Sequence, residues 1–507
     1  MAITHALPWN RFMIPLPLST HYSWAAELLI PAIMKYGAPQ AGAWVLHPSR
    51  ANYFLPTGII VLALEEISKA AFPADLRCAI GRSNMLNAAD NTLLTRIGPG
   101  TPMGNMLREY WVPACRSAKL EADGAPEKVR LFGENFVAFR ATDGRVGFLQ
   151  EACPHRCASL RLARNEGNGL RCIFHGWKFS VDGVCVDAPT EPRGQRERFA
   201  RSVPVRSHPT REAGGLVWVY MGAQETPPPF PDFEFTQLPD AHVFPLRGII
   251  KTNWLQGLEA LLDSAHVTFL HATNLDSAVG RSLFLEESDM MLGDGAPVFE
   301  FDEKPYGFTE GAIRTELGDQ DYARVREVAL PFFSFIPAAP TGARIVCCSI
   351  PIDDETTAQW YISYDADAPV DGSNLTLMGN WSGDPDHFNS DMGDESNLWH
   401  QDREAMKAGH WSGIVNRGNP YEDFAVQESM GTIVDRSREY LGTCDRVIYR
   451  ARRMLLDAVR SYQTTSTVPF TGPEADLRNI RALSFAYPKT ENWRDVRQAL
   501  LTGHESA

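Results

Sequence analysis

Between residues 153 and 175 of this 507-residue chain lie three cysteines and two histidines, and no other stretch restricts the fold as tightly. They read Cys153-Pro-His155-Arg-Cys157 and then Cys172-Ile-Phe-His175-Gly176-Trp177. The spacing is Cys-x-His, sixteen residues, Cys-x-x-His, so two loops each offer one sulfur and one imidazole. Such a set holds a single zinc ion, or a [2Fe–2S] cluster with two thiolates on one iron and two imidazoles on the other. The surroundings favour the cluster. Both pairs sit among small and apolar residues such as Pro154, Ala158, Ile173 and Phe174, and Gly176 permits a tight turn that aims backbone N–H groups at sulfur. Cys157 and Cys185 read as small buried hydrophobes.

Composition removes several classes. A net charge of −14 argues against a nucleic-acid partner. Nine cysteines are too few and too scattered for a disulfide scaffold, and the adjacent pair Cys347-Cys348 cannot readily bridge. No run reaches the ~18 apolar residues of a spanning helix, and no basic segment followed by an apolar one opens the chain, so a cytoplasmic protein without a membrane span is expected.

Residues 1–84 are rich in breakers (Pro8, Pro15, Pro17, Pro31, Pro39, Pro48) and weakly periodic, which suggests an extension of doubtful order or an upstream start ahead of Met85. Residues 85–225 read as a first domain, in which about 107 to 222 have strand and turn patterns, with hairpin signals at Asp143-Gly144 and Asp182-Gly183. A Pro-rich linker spans 226–235, and 236–500 reads as a second domain. There Leu255–His271, Asp402–Ala408 and Ser437–Gln463 have helical patterns, and Val328–Ile336, Arg344–Ile350 and Gln359–Tyr364 have strand patterns. The fold class expected is α+β: an all-β metal domain, then an α+β domain with an antiparallel sheet and flanking helices.

The second domain opens on a second ligand set. On a helix Glu259, Asp263 and His266 fall at i, i+4 and i+7, a polar stripe in an apolar segment that is costly to bury without a metal or partner. His271 would be offset by roughly 140° on a regular helix, so a break between the two histidines is expected. Two histidines and one carboxylate make the facial set that leaves a ferrous ion open on one side. A third ligand must come from downstream, where Asn416–Gly431 offers Glu422, Asp423 and Glu428.

These motifs carry a resemblance. C-P-H-R-C and C-I-F-H-G-W-K-F resemble the Rieske motif of aromatic-ring-hydroxylating oxygenases, and E-x3-D-x2-H-x4-H resembles their mononuclear-iron segment. The segments L-L-T-R-I-G-P-G-T-P-M-G, R-E-Y-W-V-P-A and V-Q-E-S-M-G are most similar to the phthalate 4,5-dioxygenase group. The resemblance implies a [2Fe–2S] Rieske cluster on Cys153, His155, Cys172 and His175, and one mononuclear Fe2+ on His266, His271 and Asp423, with Glu428 in reserve. It implies that Asp263 bridges His266 to His175 of a neighbouring subunit, with Glu259 in weaker support, hence a homotrimer or stacked trimers. It also implies O2 as co-substrate and a separate flavin/iron–sulfur reductase using NADH, since no nucleotide-binding G-x-G-x-x-G follows a strand.

The function implied is a terminal oxygenase component hydroxylating an aromatic carboxylic acid of the phthalate or benzoate type. Alternatives are a vanillate-type ether O-demethylase and a Rieske electron carrier with an inactive second domain. An aryl carboxylate calls for a cationic clamp in an apolar pocket. Arg281, Arg314, Arg324, Arg326 and Arg344 are the candidates, and Leu330–Pro337 reads equally as pocket wall or core strand.

Overall fold

The computed structural model describes residues 86–278, 287–340, 342–370 and 381–504. They belong to one compact unit, residues 74–507. The proposed extension, residues 1–84, and Arg281 lie outside the described residues.

Two short helices come first among the described residues, α1 (Ala88–Thr95), capped by the side chain of Asn87, and α2 (Pro102–Arg108), capped by Thr101 with Pro102 at its first position. Ten strands follow: β1 (Trp111–Arg116), β2 (Glu127–Leu131), β3 (Glu134–Arg140), β4 (Val146–Gln150), β5 (Arg164–Asn165), β6 (Gly169–Arg171), β7 (Lys178–Ser180), β8 (Cys185–Asp187), β9 (Thr210–Ala213) and β10 (Leu216–Tyr220), with one short helix, α3 (Arg196–Arg201), after β8. They form three small antiparallel sheets in the orders β1-β10-β9, β2-β3-β4 and β5-β6-β7-β8.

The remainder is built on one large antiparallel sheet. Its elements are β11 (Val243–Ile250), α4 (Trp254–Leu262), α5 (Ala272–Asp276), α6 (Glu287–Gly293), β12 (Val298–Lys304), β13 (Gly307–Leu317), β14 (Gln320–Ala329), β15 (Phe333–Ile336), β16 (Arg344–Pro351), β17 (Thr357–Tyr364), α7 (Arg403–Lys407), α8 (Asn419–Ser429), α9 (Arg446–Thr465), β18 (Leu483–Pro488) and α10 (Trp493–His504). The strand order is β11-β17-β16-β15-β14-β13-β12, with β18 paired to β14. The class is therefore α+β, with all-β sheets preceding a sheet flanked by helices.

The Pro-rich segment after β10 is packed onto the core. Phe230 stacks edge-on against Trp111 and Trp218, with centroids 5.6 and 5.4 Å apart, and the Trp111 indole donates to Pro228 O at 3.0 Å. The run expected as one strand over Val328–Ile336 is two, β14 and β15, joined by a turn at Leu330-Pro331. Proline has no N–H for the ladder, so strand pairing cannot run through it. The helix expected over Ser437–Gln463 begins at Arg446, after 3-10 turns at Arg436–Arg438 and Thr443–Asp445.

What positions the chemistry is how α4 rests on the sheet. Side chains of four neighbouring strands reach the helix carbonyls. Ser349 Oγ donates to Trp254 O at 2.7 Å, Gln359 Nε2 to Gly257 O at 3.4 Å and Ser334 Oγ to Leu261 O at 3.1 Å, while Arg326 donates to Leu262 O. Gly257 is required at this contact, because a Cβ there would lie 2.5 Å from Ser349 Oγ. At Leu261 and Leu262 the polar sheet face thus satisfies carbonyls at the end of α4 that no intrahelical donor reaches.

Candidate metal centres

The expected helix over 255–271 ends early. α4 stops at Leu262, and Asp263 is its extended C-cap residue. The Asp263 carboxylate accepts from the backbone N–H of Ala265 at 2.7 Å and, more distantly, from that of His266 at 3.4 Å, so it starts a new turn instead of continuing the old helix. The polar stripe is thereby split. Glu259 stays on α4 and turns away from the histidines, to Arg436 (2.8 and 3.0 Å) and Arg452 (2.7 Å). Burial would raise its carboxyl, but those two guanidiniums hold it down at about 2.

Beyond Asp263 a 3-10 turn, His266–Thr268, reverses the chain and places His271 at the N-cap of α5. The break expected between the histidines is present, and the turn brings their ring centroids to 5.0 Å. Asp423, on α8, lies between them: its Oδ1 is 3.4 Å from His266 Nε2 and 3.2 Å from His271 Nε2. One ligand atom from each residue falls within 4.8 Å of the other two. Glu428, one turn further on α8, is engaged elsewhere. It accepts from Lys251 N–H and the Trp399 indole, both at 2.9 Å.

Each imidazole has a carboxylate behind it. His266 Nδ1 faces Asp263 Oδ2 at 3.5 Å, and His271 Nδ1 faces Glu422 Oε2 at 2.7 Å. An imidazole that donates Nδ1–H to a carboxylate presents the Nε2 lone pair, and both Nε2 atoms face Asp423. Glu422 is fully buried and held in turn by Ser412 Oγ (2.6 Å) and Asn274 Nδ2 (3.0 Å). The sequence marked Glu422 only as one of three carboxylates in a row. Its orienting role follows from the fold, because Glu422 and Asp423 point to the two ends of one imidazole.

The electrostatics ask for a cation. Burial opposes charge on His266, yet Asp263 and Asp423 raise it to about 10; burial likewise opposes charge on His271, but Asp423 and Glu422 raise it as well. Burial would raise Asp423, but the two imidazoles hold it well below the carboxylate range. Three carboxylates around two imidazoles attract positive charge, and a divalent ion meets that demand without protonating the ligands. The donor set fits iron in a facial arrangement.

The Cys/His loops are two copies of one turn. Cys157 N–H donates to Cys153 O (2.8 Å) and Gly176 N–H to Cys172 O (2.9 Å), and the residue closing each turn has positive φ: 58° at Cys157, 75° at Gly176. Cys157 is thus an exposed turn residue, not the buried hydrophobe expected; only Cys185 is buried. Cys153 and Cys172 are buried, the His155 and His175 rings lie 4.3 Å apart, and His175 Nδ1 is buried with no hydrogen-bond partner among the described residues. Burial pushes the Cys153 thiol up to about 11 against the backbone N–H groups of His155 and Arg156, so thiolates persist here only on a metal. Two buried sulfurs, an orphaned nitrogen and sulfur-directed N–H groups fit a [2Fe–2S] cluster.

Beside the second site lies a buried cationic group. Arg326 pairs with Glu310 at 3.0 Å, the one carboxylate any of Arg314, Arg324 and Arg326 pairs with among the described residues. Arg324 meets the Met291 thioether, while Arg314 donates to Asp294 O, Ser264 O and Thr268 Oγ1. Arg314 Nη1, Arg324 Nε and Arg326 Nε are buried and unpartnered among the described residues. Burial lowers Arg314 to about 10, with Arg324 adding to the fall. Arg344 is elsewhere, 3.6 Å from Glu234.

Comparison with known proteins agrees with both centres. The Rieske [2Fe-2S] domain model matches residues 110–209, and the LigXa C-terminal domain like model matches residues 219–505. The chain is 36% identical to the 3-chlorobenzoate-3,4-dioxygenase oxygenase subunit of Comamonas testosteroni over 82% of itself and 98% of that protein. It is also 36% identical to the phthalate 4,5-dioxygenase oxygenase subunit of Pseudomonas putida (82% and 95%), and 31% to the 5,5'-dehydrodivanillate O-demethylase oxygenase subunit of a Sphingobium (83% and 90%). A theobromine-bound NdmA variant from Pseudomonas putida shares the fold, with a TM-score of 0.51 at 17% identity over 77% of this chain and 99% of that one. With a Rieske domain ahead of a His/His/Asp site, and relatives matched over nearly their whole length, the chain belongs to the Rieske non-haem iron oxygenases.

Proposed function

We propose that this chain is a terminal oxygenase component that hydroxylates an aromatic carboxylic acid of the phthalate or benzoate type. The observation that carries the substrate class is the buried guanidinium group of Arg314, Arg324 and Arg326. Among the described residues the three buried guanidiniums make one ion pair, with Glu310, which is costly unless an anion joins them, and Arg presents the planar fork that a carboxylate matches. Relatives named for chlorobenzoate and phthalate support the same class.

When bound, the two metal groups supply single electrons and an open-sided ferrous ion at which O2 chemistry runs. The chain's residues do the remainder. Cys153, His155, Cys172 and His175 hold the cluster; His266, His271 and Asp423 hold the iron. Glu422 fixes the His271 tautomer and Asp263 that of His266. Asp263 Oδ2 accepts from His266 and its side chain is 33% exposed, which leaves an edge for His175 of a neighbouring subunit. Ile173 and Phe174, 60% and 54% exposed beside His175, and Val426 on α8 and Met430 just after it, 39% and 50% exposed, favour a homotrimer or a stack of trimers. Electrons come from a separate flavin/iron–sulfur reductase using NADH.

No helix among the described residues is long and apolar enough to cross a membrane, and their eight cysteines are all free, which supports a cytoplasmic setting.

The test is product analysis with purified protein, such a reductase, NADH and a panel of phthalate, isophthalate, chlorobenzoate and methoxybenzoate. A hydroxylated or dihydroxylated acid is expected. Turnover of the neutral amides in preference to the acids would overturn the substrate class, and formaldehyde from methoxybenzoate alone would favour an O-demethylase.

A further inference from the structure

The two imidazoles of the Cys/His loops face different surroundings. Beside His175 lie the exposed apolar Ile173 and Phe174, with the Arg156 guanidinium 5.4 Å over the Phe174 ring. His155 instead begins a stack of rings. Trp177 lies parallel to it, at 4.3 Å between centroids and 12° between planes, and Phe199 meets Trp177 edge-on at 5.2 Å and 80°. Phe199 belongs to α3, whose sequence is Arg196-Glu-Arg-Phe-Ala-Arg201. The Trp177 indole also donates to Thr190 Oγ1 at 2.9 Å, so both ends of the α3 segment clasp it.

The α3 segment is basic in an acidic protein. From Pro189 to Ser202 it carries four arginines against two carboxylates, while the net charge of the chain is −14. Arg193 and Arg198 are exposed and have no ion-pair partner among the described residues. Arg196 spends its guanidinium on the carbonyl of Pro189 (2.9 Å), and Arg201 pairs with Glu197 at 3.2 Å. Exposed cations without partners contribute nothing to folding, but they set the local potential that steers an oppositely charged partner.

We infer that this face, α3 with Arg193 and Arg198 over the Phe199–Trp177–His155 stack, is the docking surface for the electron donor, an acidic [2Fe–2S] protein or domain. The inference rests on the cluster assignment proposed above. Each encounter moves one electron: the donor's reduced [2Fe–2S] centre is oxidised and the acceptor cluster held by His155 is reduced, with no bond made and no proton required. Two encounters deliver the pair that one O2 turnover consumes. Input at His155 leaves the apolar His175 side free for the subunit contact, so loading and discharge use separate surfaces.

The test uses the holoprotein and, as probe, a photoreduced plant-type [2Fe–2S] ferredoxin, an acidic protein. Stopped-flow absorbance follows reduction of the acceptor cluster, and a binding titration follows complex formation. For wild type, the second-order rate should fall steeply with ionic strength. Arg193→Glu/Arg198→Glu should lose about tenfold at low salt, raise the apparent Kd by a similar factor and flatten the salt dependence. Phe199→Leu should leave Kd unchanged and slow transfer within the complex several-fold. Reduction by photoreduced deazaflavin, the cluster spectrum and the oligomer size should not change in either variant.

Unchanged rate and Kd in the charge-reversed protein would overturn the inference. So would a change in oligomer size, which would make this face a subunit contact. Wild-type protein that contains no inorganic sulfide would instead overturn the cluster assignment, a distinct failure read from the spectrum before any kinetics.

Discussion

The two metal centres use overlapping ligand types but are assembled in different ways. The Cys/His loops gather four ligands within 23 residues, and each loop closes on itself through two backbone hydrogen bonds, one to and one from its cysteine. The second centre draws His266 and Asp423 from positions 157 residues apart, and each imidazole is oriented by a carboxylate from a different element. A centre built from local turns needs only its loops, while one built from tertiary contacts needs the whole sheet in place behind it.

The largest expected effect tests whether the centres are independent. Asp423→Ala should remove about one iron per chain and lower product formation by ~10³ or more, while the red-brown cluster spectrum persists. Cys172→Ser should do the converse, losing the spectrum and about two irons while one remains. Joint loss in both variants, read by iron and sulfide analysis, would break the comparison.

Next is the link between the centres. Asp263→Asn should retain both metals and lower turnover at least ~100-fold. Full activity would remove Asp263 from any bridging role. Glu422→Gln acts on the tertiary centre alone. Its amide can still accept from His271, but without charge, so iron affinity should fall ~10–100-fold with the cluster unaltered; a competitive chelator titration measures it.

Substrate recognition follows. Arg324→Met should raise KM for an aryl carboxylate by about 30-fold, near 2 kcal/mol, and barely alter that for the matching amide. Thermal stability should hold or rise, since a buried charge with no ion pair among the described residues is removed. Equal loss on acid and amide would refute a carboxylate clamp.

The smallest effect concerns Glu259, whose folded pKa of about 2 is depressed from 4.5. A depressed carboxylate stabilises the fold above its unfolded pKa, and that contribution is lost as pH falls through the folded value. Wild type should therefore lose stability between pH 4.5 and 2 more steeply than Glu259→Gln, while the variant is less stable near pH 7. Denaturant titrations across that range decide it, and parallel pH profiles would remove the charge argument.

The same contrast explains what could be read from the chain alone. The ligand spacing of the loops was legible because a short turn constrains neighbours. The exposure of Cys157 was not, because its left-handed backbone answers to the turn and not to side-chain hydrophobicity. At the second centre the histidines and their break were legible from helical geometry. The end of α4 was not, since the apolar pattern continues past Leu262 while the Asp263 carboxylate captures the next N–H groups. Glu259 looked like part of the ligand stripe because spacing cannot reveal two arginines arriving from residues 436 and 452. Arg314, Arg324 and Arg326 stood out from Arg344 only once the strand register placed them.

The anchoring of α4 has a consequence for redesign. Ser334, Ser349, Gln359 and Arg326 grip the carbonyls of the helix whose end carries Asp263 and leads to His266. Arg326 is at once a clamp candidate and a strut. A new substrate preference sought at Arg326 would tug on the iron's own scaffold, whereas Arg324, which grips no part of α4, offers a place where selectivity can drift while the reactive ion stays put.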